Sequence, residues 1–315
     1  MPPRTLLLCF DAFGTIFRPK QPIAAQYNAV ARQCGLAGVD DGELHAAFKA
    51  AFLHQARTYP NYGKATGMGA HKWWTDVIHG AFQPVVDEAR PLPADLAPRL
   101  LRRFATAEAY DFALDPRLFR LLKRAALRLP LDGSVVDDVV VGVITNSDDR
   151  VPGILSSLGL AVSPLRAGAA SAAYPAAAVP GRPYDIDFHC MSYDVGFEKP
   201  DRRIFEAAEA AAAHVLATQQ HIPGDWIKVY VGDEYKRDVV GALGAGWNSV
   251  LVADQECQCS EDVRTLGEFP DRQVFSPHGT APPVSVRVPD VDTLLAWLVG
   301  PARIWDEVDC QNNIP

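Results

Sequence analysis

Two kinds of apolar spacing divide this chain. Short, largely apolar segments that suit strands stand at Leu6 to Phe10, Val139 to Thr145, Phe188 to Tyr193, Lys228 to Gly232 and Ser249 to Ala253. Runs of this kind suit strands buried on both faces, as in parallel sheets. Between the first run and the second, residues 20–112 carry no strand signal, and apolar residues recur at helical spacing. The stripes predict helices over Gln21 to Cys34, Asp40 to Ala56, Ala70 to Phe82 and Pro93 to Ala109. From about Pro116 the strands alternate with helices over Leu118 to Arg128, from near Asp149, from Pro200 to about Ala217, from Tyr235 to Leu243 and from Asp290 to Val299. This order predicts an α/β protein with a parallel-sheet core, residues 1–19 and 113–300, and a helical cap, residues 20–112, inserted after the first strand. An Ala, Pro and Gly tract at 161–183 and a polar stretch at 254–283 break the rhythm and read as loop insertions, ahead of a tail at 301–315.

Ligands of open parallel sheets collect at the carboxyl ends of the strands. Four segments with chemistry stand at such ends or at a helix start: Asp11 in CFDAFGT, Thr145-Asn146-Ser147, Lys199 in EKP, and Asp233 with Asp238 in GDEYKRD. A carboxylate closing an apolar strand is unfavourable unless something positive or hydrogen-bonding meets it, and Gly14 lets backbone amides approach an anion. Thr145, Asn146 and Ser147 could donate to a phosphoryl oxygen, although Asn146 and Ser147 also suit a turn and a helix N-cap. Proline is favoured at the first helical position, so Lys199-Pro200 predicts an ammonium near a helix N-terminus, where an anion is welcome. Asp233 faces the crevice of Asp11, and two carboxylates would repel there without a cation; Mg²⁺ suits such a site. Glu234 and Asp238 could simply stabilise a helix start. A carboxylate, a hydroxyl, an ammonium and an acidic pair together handle phosphate.

The order and content of these segments resemble the haloacid dehalogenase (HAD) superfamily of hydrolases. The resemblance implies a Rossmann-like, HAD-like core with Asp11 as nucleophile and Thr145 as the hydroxyl of the second motif. It also implies Lys199 as the lysine of the third motif and Asp233 with Asp238 as the acidic fourth, Asp238 in support. The backbone carbonyl of residue 13 is implied as a further metal ligand beside Asp11 and Asp233. Phosphatases of the superfamily read D-x-D, the second aspartate acting as acid and base, whereas this chain reads Asp11-Ala12-Phe13. An aromatic there is found in the true haloacid dehalogenases, which need no metal and lack the G-D-x-x-x-x-D pattern present here. The expectation is therefore a slow Mg²⁺-dependent hydrolase of a small phosphorylated metabolite. A 2-haloacid dehalogenase and an idle metabolite-binding protein stand as alternatives. The cap segments RTYPNYG (Arg57 to Gly63) and KWWTDV (Lys72 to Val77) resemble one branch of the superfamily that also tends to lack the second aspartate. Trp73 and Trp74 are expected in the packing of the cap, and Asn61, Tyr62 and Lys64 to face substrate.

Composition narrows the partners. A formal charge of −8 and an isoelectric point near 5.5 argue against nucleic acid and acidic membrane surfaces. The six cysteines include one C-x-C, too close for a zinc pair, so reduced thiols in the cytoplasm or nucleus are expected. The run Leu6 to Phe10 is too short for a secretion signal or a membrane span. No Walker loop, G-x-S-x-G elbow or H-E-x-x-H is present. Oligomeric state has no signal in the sequence.

Overall fold

The computed structural model describes residues 5–87, 91–124, 136, 138–168, 184–218, 226–253, 263–266, 275 and 281–299. The first strand, β1 (Thr5–Phe10), is wholly buried. Leu6, Leu8 and Phe10 join an apolar cluster on one side of the sheet, Leu7 and Cys9 a second cluster on the other. A strand with apolar contacts on both faces has to be central. The chain then forms β2 (Phe17–Pro19), the helices α1 (Ile23–Gln33), α2 (Asp41–Thr58), α3 (Ala70–Phe82) and α4 (Leu96–Arg103), and β3 (Tyr110–Phe112). After α5 (Arg117–Arg124) come β4 (Asp138–Thr145), α6 (Val151–Ser157), β5 (Phe188–Met191), α7 (Ser192–Val195) and α8 (Arg202–Thr218). The sequence closes with β6 (Trp226–Gly232), α9 (Val240–Gly244), β7 (Asn248–Val252), β8 (Arg264–Thr265), β9 (Ser285–Val288) and α10 (Val291–Val299).

Seven strands form one parallel sheet in the order β5-β4-β1-β6-β7-β9-β8, so the predicted α/β Rossmann-like core is borne out. β1 lies between β4 and β6, with Phe10 in register with both Val143 and Val231. Chain order runs outward from β1 to β5 on one side and from β6 onward on the other. The crevice at that reversal is where open α/β sheets bind ligands.

Several boundaries differ from the sequence reading. Tyr110–Phe112, inside the segment without strand signal, pairs antiparallel with Phe17–Pro19. This ribbon is too short to show alternation, and it carries α1 to α4 on two chain crossings. The fourth cap helix is Leu96–Arg103 rather than 93–109, and Phe188 to Tyr193 is strand only to Met191 before turning into α7. β8 falls in the stretch read as loop, and residues 161–168 run beside β5 through bridges of Val162 to Ile186 and Arg166 to His189. The rest of 161–183, most of 254–283 and the tail 301–315 lie outside the described residues, as do Cys257, Cys259 and Cys310. Cys9, Cys34 and Cys190 are free thiols. No helix among the described residues is long and apolar enough to cross a membrane.

One buried group sets an acid limit on this core. His189 in β5 is fully buried, and loss of hydration pushes its pKa down to about 3. The unfolded imidazole takes its proton near pH ~6.5, so between those values the unfolded chain binds more protons. The stabilisation is complete above about pH 6.5 and declines as pH falls toward 3, with a limiting slope of about 1.4 kcal/mol per unit. Urea melts at several pH values between 7 and 4.5 should show a steeper loss for wild type than for His189→Leu. Parallel curves would exclude this origin.

Candidate functional site

The carboxyl ends of β4, β1 and β6 meet in one crevice, and register determines what they bring there. The Asp11 amide donates to Val231 O at 2.8 Å, fixing the residue after β1 against the end of β6. The next turn folds back through Ile16 N and Phe17 N, both donating to Ala12 O. Gly14 adopts φ +85°, and a Cβ there would overlap the Asp233 carboxylate, so the turn and the acid approach each other only because residue 14 is glycine. Gly232 serves Asp238 in the same way.

Lys199 is almost completely buried and organises the centre. Its Nζ lies 3.0 Å from Asp11 Oδ1, and donates to Asp238 Oδ1 at 2.7 Å and to the Tyr230 hydroxyl at 2.6 Å. The Tyr230 hydroxyl in turn donates to Ile144 O at 2.7 Å. A buried ammonium is tolerable only with such partners; although burial opposes its charge, the two carboxylates hold the lysine pKa above its ordinary value. Asp238, read from sequence as a possible helix-start residue, is fully buried, and its other oxygen accepts from Glu234 N at 2.8 Å. Glu234 itself pairs outward with Arg237 at 3.0 Å.

Asp233 stands at the exposed mouth, where its Oδ1 accepts from the Thr15 hydroxyl at 3.3 Å. Reduced hydration in the crevice, then the charges of Asp11 and Asp238, push it up to about 6. Carboxylate oxygens of Asp11, Asp233 and Asp238 lie within 4.8 Å of one another, an all-oxygen donor set suited to a hard cation. Burial likewise raises Asp238, against the pull of Lys199.

The structure brings Asp11, Lys199, Asp233 and Asp238 together, with Thr145 buried at the end of the neighbouring strand. Three expectations change. The Asn146 side chain, expected to donate to a phosphoryl oxygen, is engaged with the lysine backbone: its Oδ1 accepts from Lys199 N at 2.7 Å and its Nδ2 donates to Lys199 O at 3.0 Å, clasping it. Pro200 does not open the following helix, which starts at Arg202 after Asp201 accepts from Arg203 N at 3.0 Å; Lys199 is therefore held by the clasp of Asn146 rather than by a helix N-terminus. Asn61 and Lys64 do not line the cavity that Tyr62 lines. Asn61 donates to Ser192 O at 2.9 Å and Lys64 to Asp194 O at 2.6 Å, so both fasten the cap to α7. Tyr62 donates to Asn146 O at 3.3 Å and lines the cavity below the cap. Trp73 is buried in cap packing as expected, while Trp74 is half-buried on that cavity wall. Tyr230, Thr15 and the Arg150–Asp148 pair were missed, since a tyrosine inside a strand, or an arginine beside an aspartate, has no distinctive spacing.

Comparison with known proteins adds an independent line. The HAD-hydrolase-like family model matches residues 197–275. An uncharacterized hydrolase of Schizosaccharomyces pombe is 30% identical over 243 residues, covering 77% of this chain and 88% of that protein. Haloacid dehalogenase-like hydrolase domain-containing protein 3 of Bos taurus is 30% identical over 251 residues, covering 79% and 82%. Among solved structures, a 2-haloacid dehalogenase from Pseudomonas syringae pv. Tomato DC3000 aligns with 95% of this chain and 98% of its own at 16% identity and a TM-score of 0.47. The sheet is parallel, helices are inserted behind its first strand, and a lysine lies among three aspartates at the strand ends. The chain belongs to the haloacid dehalogenase-like hydrolases.

Proposed function

We propose that this hydrolase cleaves the phosphate monoester of a small metabolite through an aspartyl-phosphate on Asp11, with Mg²⁺ as its cofactor. The observation that carries the reading is the pairing of Asp11 with both Lys199 and a second acid, Asp233, across one strand-end crevice. Asp11 and Asp233, with the backbone carbonyl of Phe13, would hold the cation, which when bound offsets the charge of the phosphate and of the acids. Asp238 is taken up by Lys199 and acts in support. In this reading the Asp11 carboxylate attacks phosphorus, splitting one displacement into two. Lys199 neutralises the anion it faces, and the Thr145 hydroxyl donates to a phosphoryl oxygen. Asn146 keeps Lys199 in place. Phe13 carries no proton to give, so departure of a basic leaving group and hydrolysis of the intermediate are both slow.

Rapid mixing with para-nitrophenyl phosphate tests this, because that leaving group hardly needs an acid. A Mg²⁺-dependent burst near one equivalent, followed by slow turnover and abolished by EDTA, is the expected result. Absence of a burst would remove the aspartyl-phosphate.

One observation favours a second reading, dehalogenation. Phe13 packs edge-on to Phe17 and Tyr110, at 4.7 and 5.7 Å between ring centres, and makes the floor of the cavity apolar. Halide release from 2-haloacids that persists in EDTA would select that reading over phosphate.

A further inference from the structure

The cavity between the cap helices and the strand ends has a volume of about 330 Å³ and a largely aromatic wall that includes Phe13, Tyr27, Phe48, Phe52, Trp74 and Tyr110. Phe13 follows Asp11 by two residues and Asn146 clasps Lys199, and both line the cavity, so the loops that carry the proposed nucleophile and hold the lysine also form part of its wall, although Asp11 and Lys199 do not line it themselves. Among the described lining residues Arg150 is the one cation. Its Nε donates to both oxygens of buried Asp148, at 2.8 and 3.1 Å, and its guanidinium lies 4.4 Å from the centre of the Trp74 ring. Trp74 Nε1 completes the group by donating to Asp148 at 2.6 Å. Arg150 is thus neutralised and built into the wall, and does not offer a second anion site.

We infer that this cavity receives the leaving group of the substrate and that the leaving group is aromatic, making the substrate an aryl phosphate monoester. The inference rests on the aspartyl-phosphate reading above. A flat ring gains edge and face contacts from such walls, whereas sugar hydroxyls placed against rings lose their water partners without replacement. The same chemistry accounts for Phe13. An Asp11 oxygen bonds to phosphorus as the bond from phosphorus to the aryl oxygen breaks, and the electron pair leaves as an aryl oxide that takes its proton from water. Water then attacks phosphorus, the bond to Asp11 breaks, and inorganic phosphate and the free carboxylate result, the remaining proton passing to solvent. An aryl oxide departs without an acid, while an alkoxide needs one.

The test is calorimetric titration of the full chain, with Mg²⁺, by 1-naphthylmethylphosphonate and by methylphosphonate, neither of which can be hydrolysed. Alongside it, 1-naphthyl phosphate hydrolysis is compared between wild type and Asp11→Asn. The naphthyl compound is expected to bind at least about tenfold tighter. Ile23→Trp, which fills the cavity from the half-buried start of α1, should remove most of that preference and leave methylphosphonate binding unchanged. If that variant does not fold, Phe52→Ala, which opens the wall, is read in its place and should weaken the naphthyl compound at least about threefold. Equal binding, no binding of either compound, or a preference unmoved by the wall variant overturns the inference. A preference that holds while wild type and Asp11→Asn hydrolyse naphthyl phosphate equally would remove the phosphatase reading, leaving the cavity as a site for aryl anions.

Discussion

Asp11→Asn is expected to lower phosphate-ester hydrolysis at least about a thousandfold while shifting the melting temperature by only a few degrees. The amide keeps the size of the carboxylate but is far less nucleophilic, so the first step of the reaction is lost. Stability should move little because two electrostatic effects oppose each other. The substitution removes an ion pair to Lys199 at 3.0 Å, and it also removes a charge that pushes Asp233 up. Lys199 retains Asp238 at 2.7 Å and Tyr230 at 2.6 Å, so no buried ammonium is left without a partner. Lys199→Met reverses the balance, because Asp238, fully buried, would then lack its cation; breaking such a pair costs about 3–5 kcal/mol. Single-turnover kinetics with scanning calorimetry separates the two variants. Activity of Asp11→Asn within tenfold of wild type would show that the nucleophile lies elsewhere.

The parts of this molecule legible in its sequence are those whose physics is local. Leu6 to Phe10, Val139 to Thr145 and Lys228 to Gly232 announce buried strands because sidedness vanishes when both faces are covered, and their ends announce the crevice. Asp11 and Asp233 stood out because a charged residue at the end of an apolar run needs an explanation, whereas Lys199 and Asp238 joined them through the spacing of the superfamily's motifs. The cap stalk was not legible, since Phe17–Pro19 and Tyr110–Phe112 are three residues each and pair across the whole cap. Nor was the clasp of Asn146 on the Lys199 backbone, which depends on two loops far apart in the chain. Asn61 and Lys64 misled for a related reason. A polar residue in a glycine-bearing loop looks the same in sequence whether it meets a ligand or the backbone carbonyls of α7. The ends of Pro93 to Ala109 were overextended because an amphipathic stripe continues past Arg103 into turn residues whose apolar side chains pack in the same core.

Restoring the missing acid is the sharpest test of what Phe13 does. Phe13→Asp is expected to raise turnover of alkyl phosphates at least about tenfold, within the ten-thousandfold that acid–base catalysis can supply. It should alter the burst with para-nitrophenyl phosphate much less, since that leaving group barely draws on an acid. The new carboxylate would begin from the floor of the cavity, next to the departing group, which is where a proton is needed. Two effects work against it. The substitution forfeits the ring contacts with Phe17 and Tyr110, worth about 0.5–1.5 kcal/mol each beyond burial, and it brings a further negative charge to a crevice that already holds Asp11, Asp233 and Asp238. The gain should therefore depend on Mg²⁺ more steeply than wild-type activity does. A gain confined to alkyl phosphates would identify Phe13 as the reason for slow turnover. An equal gain in turnover for both leaving groups would place the limit in hydrolysis of the shared aspartyl-phosphate, whereas no gain for either would mean that the cavity has adapted to a substrate that never required the acid, in line with an aryl oxide leaving into a wall of rings.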